Sequence, residues 1–252
     1  ALSERDFNND GTLNVFESTA PSLVTCNPGQ YGFYMCVDAP LGKYVPSSGS
    51  RYAVDCLAGT FQASIGQSSC SDADAGHYVD QTGQSTQTAC DAGTFQASTG
   101  QQSCDDADAG HYVDLFLGTG QSTQTACNAG TYNPNTGSTT STDCLDADPG
   151  HYVDSSLGTG QSTQTACNAG TYNPNSASTS STGCVDTDVG HYVDQTGQST
   201  QTACNAGTFQ ASTGQQSCDD ADSGHYVDLT LGTGQSTQTA CNAGTYNPNT
   251  GS

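Results

Sequence analysis

The octapeptide GQSTQTAC occurs five times, ending at Cys90, Cys127, Cys167, Cys204 and Cys241. A chain that rewrites one segment this often must fold as an array of like units, each leaning on the next. From Cys26 onward the cysteine spacings are 10 and 20, 14 and 20, 14 and 23, 17 and 23, 17 and 20, then 14 and 23. This is a two-beat rhythm whose full period settles at 34 to 40 residues. The first beat opens C-x-A-G-T-[FY] and ends at the next cysteine, as in Cys56 to Cys70. The second opens D-[AT]-D-x-G-H-Y-V-D and ends in GQSTQTA.

The two beats are versions of one unit of 17 or 20 residues. Aligning their Gly-x-aromatic triplets matches Cys56 to Ala73, Cys90 to Ala107 and Cys127 to Ala147. In that register the closing cysteine of the first beat falls on Gln87, Gln124, Gln164, Gln201 and Gln238 of the second. Two cysteines that vanish together in alternate units are the two that bond to each other. This predicts bridges Cys26–Cys36, Cys56–Cys70, Cys90–Cys104, Cys127–Cys144, Cys167–Cys184 and Cys204–Cys218. Each closes a loop of roughly 15 residues and contributes about 3 kcal/mol in the chain-entropy picture. Cys241, the thirteenth cysteine, is expected to pair beyond Ser252, because its unit is incomplete, or with another chain.

Composition agrees with a stapled array. At 252 residues, 33% hydrophobic content, no Trp and 30 Gly leave too little apolar volume for ordinary cores. The cysteines show no CxxC pairs of the metal-binding kind, so disulfides in an oxidising, extracellular setting are expected. Arg5, Lys43 and Arg51 are the only basic side chains, against a net charge of -22. Such a surface repels nucleic acid and anionic membrane, and suits cations or a solvating role. No apolar run reaches the length of a membrane span. The start at Ala1 fits a removed secretion signal.

The pattern C-x-[AP]-G-[TQ]-[YF], a Gly-rich loop, a second Cys and then a new unit resembles the Cys-rich repeats of ephrin-receptor-like and tumour-necrosis-factor-receptor-like ectodomains. The resemblance covers residues 26–252. It implies bonded cysteines within each unit and units stacked into a rod of short β-hairpins, although alternate units here lack the cysteine pair. The expected fold is therefore mostly β, small and disulfide-rich, an elongated rod of stacked short β-hairpin repeats with little regular helix. Residues 1–25 form an N-terminal segment outside the array. Strands are expected near residues 93–96 and 110–113, with one Tyr or Phe per unit forming an aromatic seam.

Residues 6–17, DFNNDGTLNVFE, carry the calcium-loop spacing of an EF-hand. Asp6, Asn8, Asp10, the Thr12 carbonyl, Asn14 and a bidentate Glu17 are the expected calcium ligands, with Gly11 at the sharp turn. Flanking helices are not evident, and a plain Asn/Asp turn is the alternative. The acidic segments, such as Asp72, Asp74, His77 and Asp80, have the wrong spacing for that loop. They read as a solvated ridge or as cation sites shared between stacked units. No Asn-x-Ser/Thr acceptor occurs, whereas the Ser/Thr-rich loops suit O-linked glycans. A catalytic constellation is not expected.

Loop tips vary between units while strand residues repeat almost letter for letter, which suits a surface that meets copies of itself. The sequence thus points to a structural subunit of an extracellular fibre, stalk or surface appendage that assembles end to end. The alternative is an adhesin or receptor-like ectodomain using the array as a spacer or binding surface.

Overall fold

The computed structural model describes residues 22–251. These fall into two compact units, one running to residue 88 and including 98–103, the other made of 89–97 and residues from 104 onward. The calcium-loop residues Asp6, Asn8, Asp10, Thr12, Asn14 and Glu17 lie outside the described residues.

Among the described residues there are twelve two-stranded antiparallel sheets, each formed by strands adjacent in sequence. Every strand is two residues long. In the first unit Thr60–Phe61 pairs with Ser71–Asp72. In the second Thr171–Tyr172 pairs with Val185–Asp186, and His191–Tyr192 with Thr202–Ala203. Each beat is one hairpin, as the sequence register requires. The helical content of the described residues is five 3-10 turns of three residues, all in the longer loops: Leu115–Leu117, Ser141–Asp143, Ser155–Leu157, Ser181–Gly183 and Leu229–Leu231.

A two-residue hairpin is not stable by itself in water. What stabilises it is a ladder of backbone hydrogen bonds to the next hairpin, written by the same four positions each time. In the first unit Gly59 N–H donates to Val79 O at 2.7 Å and Gln62 N–H to Gln84 O at 3.2 Å. In return Ala73 N–H reaches Gly59 O at 2.9 Å and Gly83 N–H reaches Cys56 O at 2.8 Å. The second unit repeats the set with Gly170 to Val193, Asn173 to Gln198, Thr187 to Gly170 and Gly197 to Cys167, at 2.8, 3.1, 3.0 and 2.9 Å. Backbone groups that a short strand would leave unsatisfied are thereby paired.

This close stacking decides what can be buried. The first position of each unit before the one that opens at Cys241, alternately Cys and Ala or Thr, is fully covered: Cys56, Ala73, Cys167 and Thr187 all fall at 1% exposure or less. The residue after the aromatic is buried too, as Val79, Val153 and Val193 in one beat and Gln62, Asn133, Asn173 and Gln210 in the other. The buried amides of Gln62 and Gln210 are satisfied within their own loops, and those of Asn133 and Asn173 also reach back to the preceding hairpin. Asn173 donates from Nδ2 to His151 O at 2.9 Å and to Ser178 Oγ at 2.7 Å, and its Oδ1 accepts Asn175 N–H at 3.1 Å.

The expected aromatic seam takes a different form. The strand Tyr and Phe residues are mostly half-buried, and the covered line through the stack is made of Val, Cys, Ala and amide side chains. Hairpins held 2.7–3.2 Å apart atom to atom by backbone bonds leave a slot that rings cannot enter. An aromatic pair does form at the edge of the first unit, where Phe33 and Tyr52 pack edge to face at 6.1 Å.

Candidate functional site

All six expected disulfides are present: Cys26–Cys36, Cys56–Cys70, Cys90–Cys104, Cys127–Cys144, Cys167–Cys184 and Cys204–Cys218, with Cα separations of 5.4–5.8 Å. Each joins the first residue of a hairpin to the residue just before its second strand. Cys241 is unbridged and half-buried.

The cysteine-free hairpins are closed at the same place by side-chain hydrogen bonds. Gln87 Oε1 accepts the Asp74 N–H at 2.6 Å while its Nε2 donates to the Asp74 carboxylate at 2.6 Å. The clamp recurs as Gln124 on Asp108, Gln164 on Asp148, Gln201 on Asp188 and Gln238 on Asp222. The glutamine occupies the position of the missing closing cysteine, and the aspartate follows the position of the missing opening one. The 43–55 hairpin, which also lacks cysteines, has Pro40 and Ala53 at these two places. Proline has no N–H to satisfy, so the acceptor is dispensable there. That hairpin is instead tied by the Lys43–Asp55 ion pair across its strands.

The acidic segment singled out in the sequence is taken apart by the fold. Asp72 lies on a second strand opposite Thr60, Asp74 is held by Gln87, His77 lies on the next first strand, and Asp80 is an exposed loop residue. Among the described residues no three His, Cys, Asp or Glu side chains converge on a possible metal position. The strand register instead repeats from the 60–72 hairpin onward: Thr stands opposite Asp in one beat, as Thr171 opposite Asp186, and His opposite Ala in the other, as His151 opposite Ala166. The imidazoles of His77, His111, His151 and His191 each place Nδ1 3.1–3.4 Å from the carbonyl two residues back.

The three-residue insertions build exposed 3-10 turns. Asp114 and Asp154 accept the N–H of Phe116 and Ser156 at 2.9 Å, and Gly118 and Gly158 end each turn at φ 82° and 88°. The Ser156 side chain and then its backbone N–H hold the exposed Asp154 carboxyl below its ordinary value, and Thr230 does the same for Asp228. These turns carry exposed apolar side chains, with Phe116 89%, Leu157 71% and Leu231 67% accessible.

In the first unit Arg51 donates to Gly32 O at 2.8 Å and lies 5.0 Å over the Phe33 ring, so one of the few cations staples the opening hairpin to its neighbour. An open depression of about 260 Å³ in the same unit is lined by Tyr44, Leu57, Thr60, Ser69 and Cys70. No helix among the described residues is long and apolar enough to cross a membrane.

Fold and geometry together define a disulfide-stapled array of cysteine-rich β-hairpin repeats. Compared with known proteins, the chain matches no family and no curated sequence.

Proposed function

We propose that this chain is a structural subunit of an extracellular fibre, stalk or surface appendage, assembling end to end with copies of itself and acting by shape and durability rather than by catalysis. The observation that carries this reading is the sameness of successive hairpins. The four stacking bonds between the 60–72 and 77–89 hairpins measure 2.7, 3.2, 2.9 and 2.8 Å, and those between 171–186 and 191–203 measure 2.8, 3.1, 3.0 and 2.9 Å. A surface that recognises a ligand needs a particular constellation, whereas repetition of this kind suits load, spacing and contact with like surfaces. The bridges suit an oxidising exterior. In this reading Ser/Thr loops carry O-linked glycans, and the loop from Asp6 to Glu17 binds calcium at the N-terminal junction.

Negative-stain microscopy of the purified chain tests the reading. Regular filaments are expected, and deletion of residues 1–25 should shorten them. Filaments of unchanged length and diameter after that deletion would remove the proposed junction, and particles that never associate would remove the fibre.

A second reading, an adhesin or receptor-like ectodomain, is favoured by one local difference. The 115–117 turn reads Leu-Phe-Leu where its counterpart at 155–157 reads Ser-Ser-Leu, so one loop presents three exposed apolar side chains where another presents one. Isolated particles bearing a terminal head on the same grids would support it.

A further inference from the structure

In the second compact unit two kinds of closure alternate strictly. Bridges Cys127–Cys144, Cys167–Cys184 and Cys204–Cys218 lie between clamps Asp108–Gln124, Asp148–Gln164, Asp188–Gln201 and Asp222–Gln238. Each of these three bridged hairpins has a clamped hairpin on each side. The bonds between them involve no sulfur, even at the cysteines themselves: Cys167 N–H donates to Gly150 O at 2.8 Å, and Cys167 O accepts from Gly197 N–H at 2.9 Å. Buried Val153 and Val193 fill the clamped hairpins with side chains that no reductant alters.

We infer that the clamps are a redox-independent latch that holds the array in register when its disulfides open, and that they act as the template on which the same bridges re-form. Reduction by a dithiol gives two cysteine thiols per bridge and leaves the reductant as its own disulfide. Re-formation by glutathione disulfide returns the sulfur–sulfur bond and releases two glutathione thiols. In between, the Gln–Asp bonds, the buried valines and the backbone ladder remain. Cys144 therefore stays near Cys127, with their Cα atoms 5.6 Å apart in the bridged form. The wrong neighbour, Cys167, stays on the far side of the latched 151–166 hairpin. Chain separation alone would give little discrimination, since closure entropy changes slowly between loops of 17 and 23 residues. The latch makes the choice spatial.

The test uses the full chain, reduced with dithiothreitol in native buffer and followed by hydrogen exchange, then re-oxidised with glutathione disulfide and mapped by non-reducing peptide analysis. On reduction, exchange should accelerate about tenfold or more in residues 128–143 and 168–183, the cost of a lost local closure, with far less change around Asp148 and Asp188. Re-oxidation should return Cys127–Cys144 and Cys167–Cys184. In Gln164→Ala, which keeps every cysteine, the reduced chain should lose protection across 147–166, and re-oxidation should yield Cys144–Cys167 among the products. Gln164→Glu, which keeps the shape but sets a carboxylate against Asp148, should do the same. Equal acceleration in clamped and bridged hairpins of the native chain would overturn the inference. So would re-pairing by both variants as faithful as that of the native chain.

Discussion

Gly150 faces the backbone of Gly197, two hairpins further along. A Cβ on Gly150 would lie 2.6 Å from the Gly197 carbonyl carbon and closer still to its oxygen. Gly150 also sits at φ 86°, where an L side chain is strained in any surroundings. Hairpins therefore touch not only their neighbours but the unit beyond, and the glycine of the repeated Gly-x-aromatic triplet is the point of contact.

Gly150→Ala should accordingly destabilise the chain by about 3 kcal/mol or more, combining left-handed strain with a clash against backbone that cannot move aside. Gly158 shares the positive φ but has no atom within 4 Å of its would-be Cβ. Gly158→Ala should cost only the strain, about 1–3 kcal/mol, and act locally. Thermal unfolding of both variants checks the difference; equal losses would show that the contact contributes nothing.

The equivalence of Ala147 and Gln164 with Cys127 and Cys144 can be tested by adding a bridge. Ala147→Cys with Gln164→Cys should form a seventh disulfide without reductant and raise stability by up to about 3 kcal/mol, less the value of the lost clamp. Peptide mapping reads the bond directly. Two free thiols in an otherwise bridged chain would mean that the two hairpin types differ in backbone geometry.

Asn173 is fully buried among groups it satisfies. Asn173→Ala removes the donor that meets His151 O and Ser178 Oγ and the acceptor for Asn175 N–H. A loss of about 2–4 kcal/mol is expected, since stranded buried polar groups cost more than the bonds contribute. An exposed amide, as in Asn135→Ala, should change stability by less than about 0.5 kcal/mol in a denaturant titration.

Asp154 and Asp228 impose a pH dependence on the 155–157 and 229–231 turns. Both carboxyls are held below the ordinary 3.8 by hydrogen bonds that favour the ionised form. Their contribution is complete above pH 3.8 and is lost as the pH falls through the lower folded-state value. The turns should loosen only in that acid range, seen as faster amide exchange at Ser156 and Thr230. Asp154→Asn should remove the dependence at Ser156 alone; an unchanged acid profile there would exclude this cause.

For the N-terminal loop, calcium should protect residues 1–25 from protease, and Asp10→Ala with Glu17→Ala should abolish that protection. A chelator that leaves the unmutated chain equally resistant would reduce the segment to a turn.

The sequence alone determined the unit, its register and its bridges. Disulfide closure, turn formation and positive φ at glycine act within one unit of 17 or 20 residues, so a repeat records them directly. The paired absence of cysteines was enough to place Cys56 with Cys70 and to equate Cys56 with Ala73. It also put Gln87 where a cysteine had been, without revealing its grip on Asp74. That step depended on side-chain direction. Nor could sequence show that Asp72, Asp74 and His77, five letters apart, belong to three different settings, or that valine and amide rather than aromatic rings would line the interior. Those outcomes follow from the spacing between hairpins. Backbone hydrogen bonds between non-adjacent segments set that spacing, and only the folded stack brings those segments together.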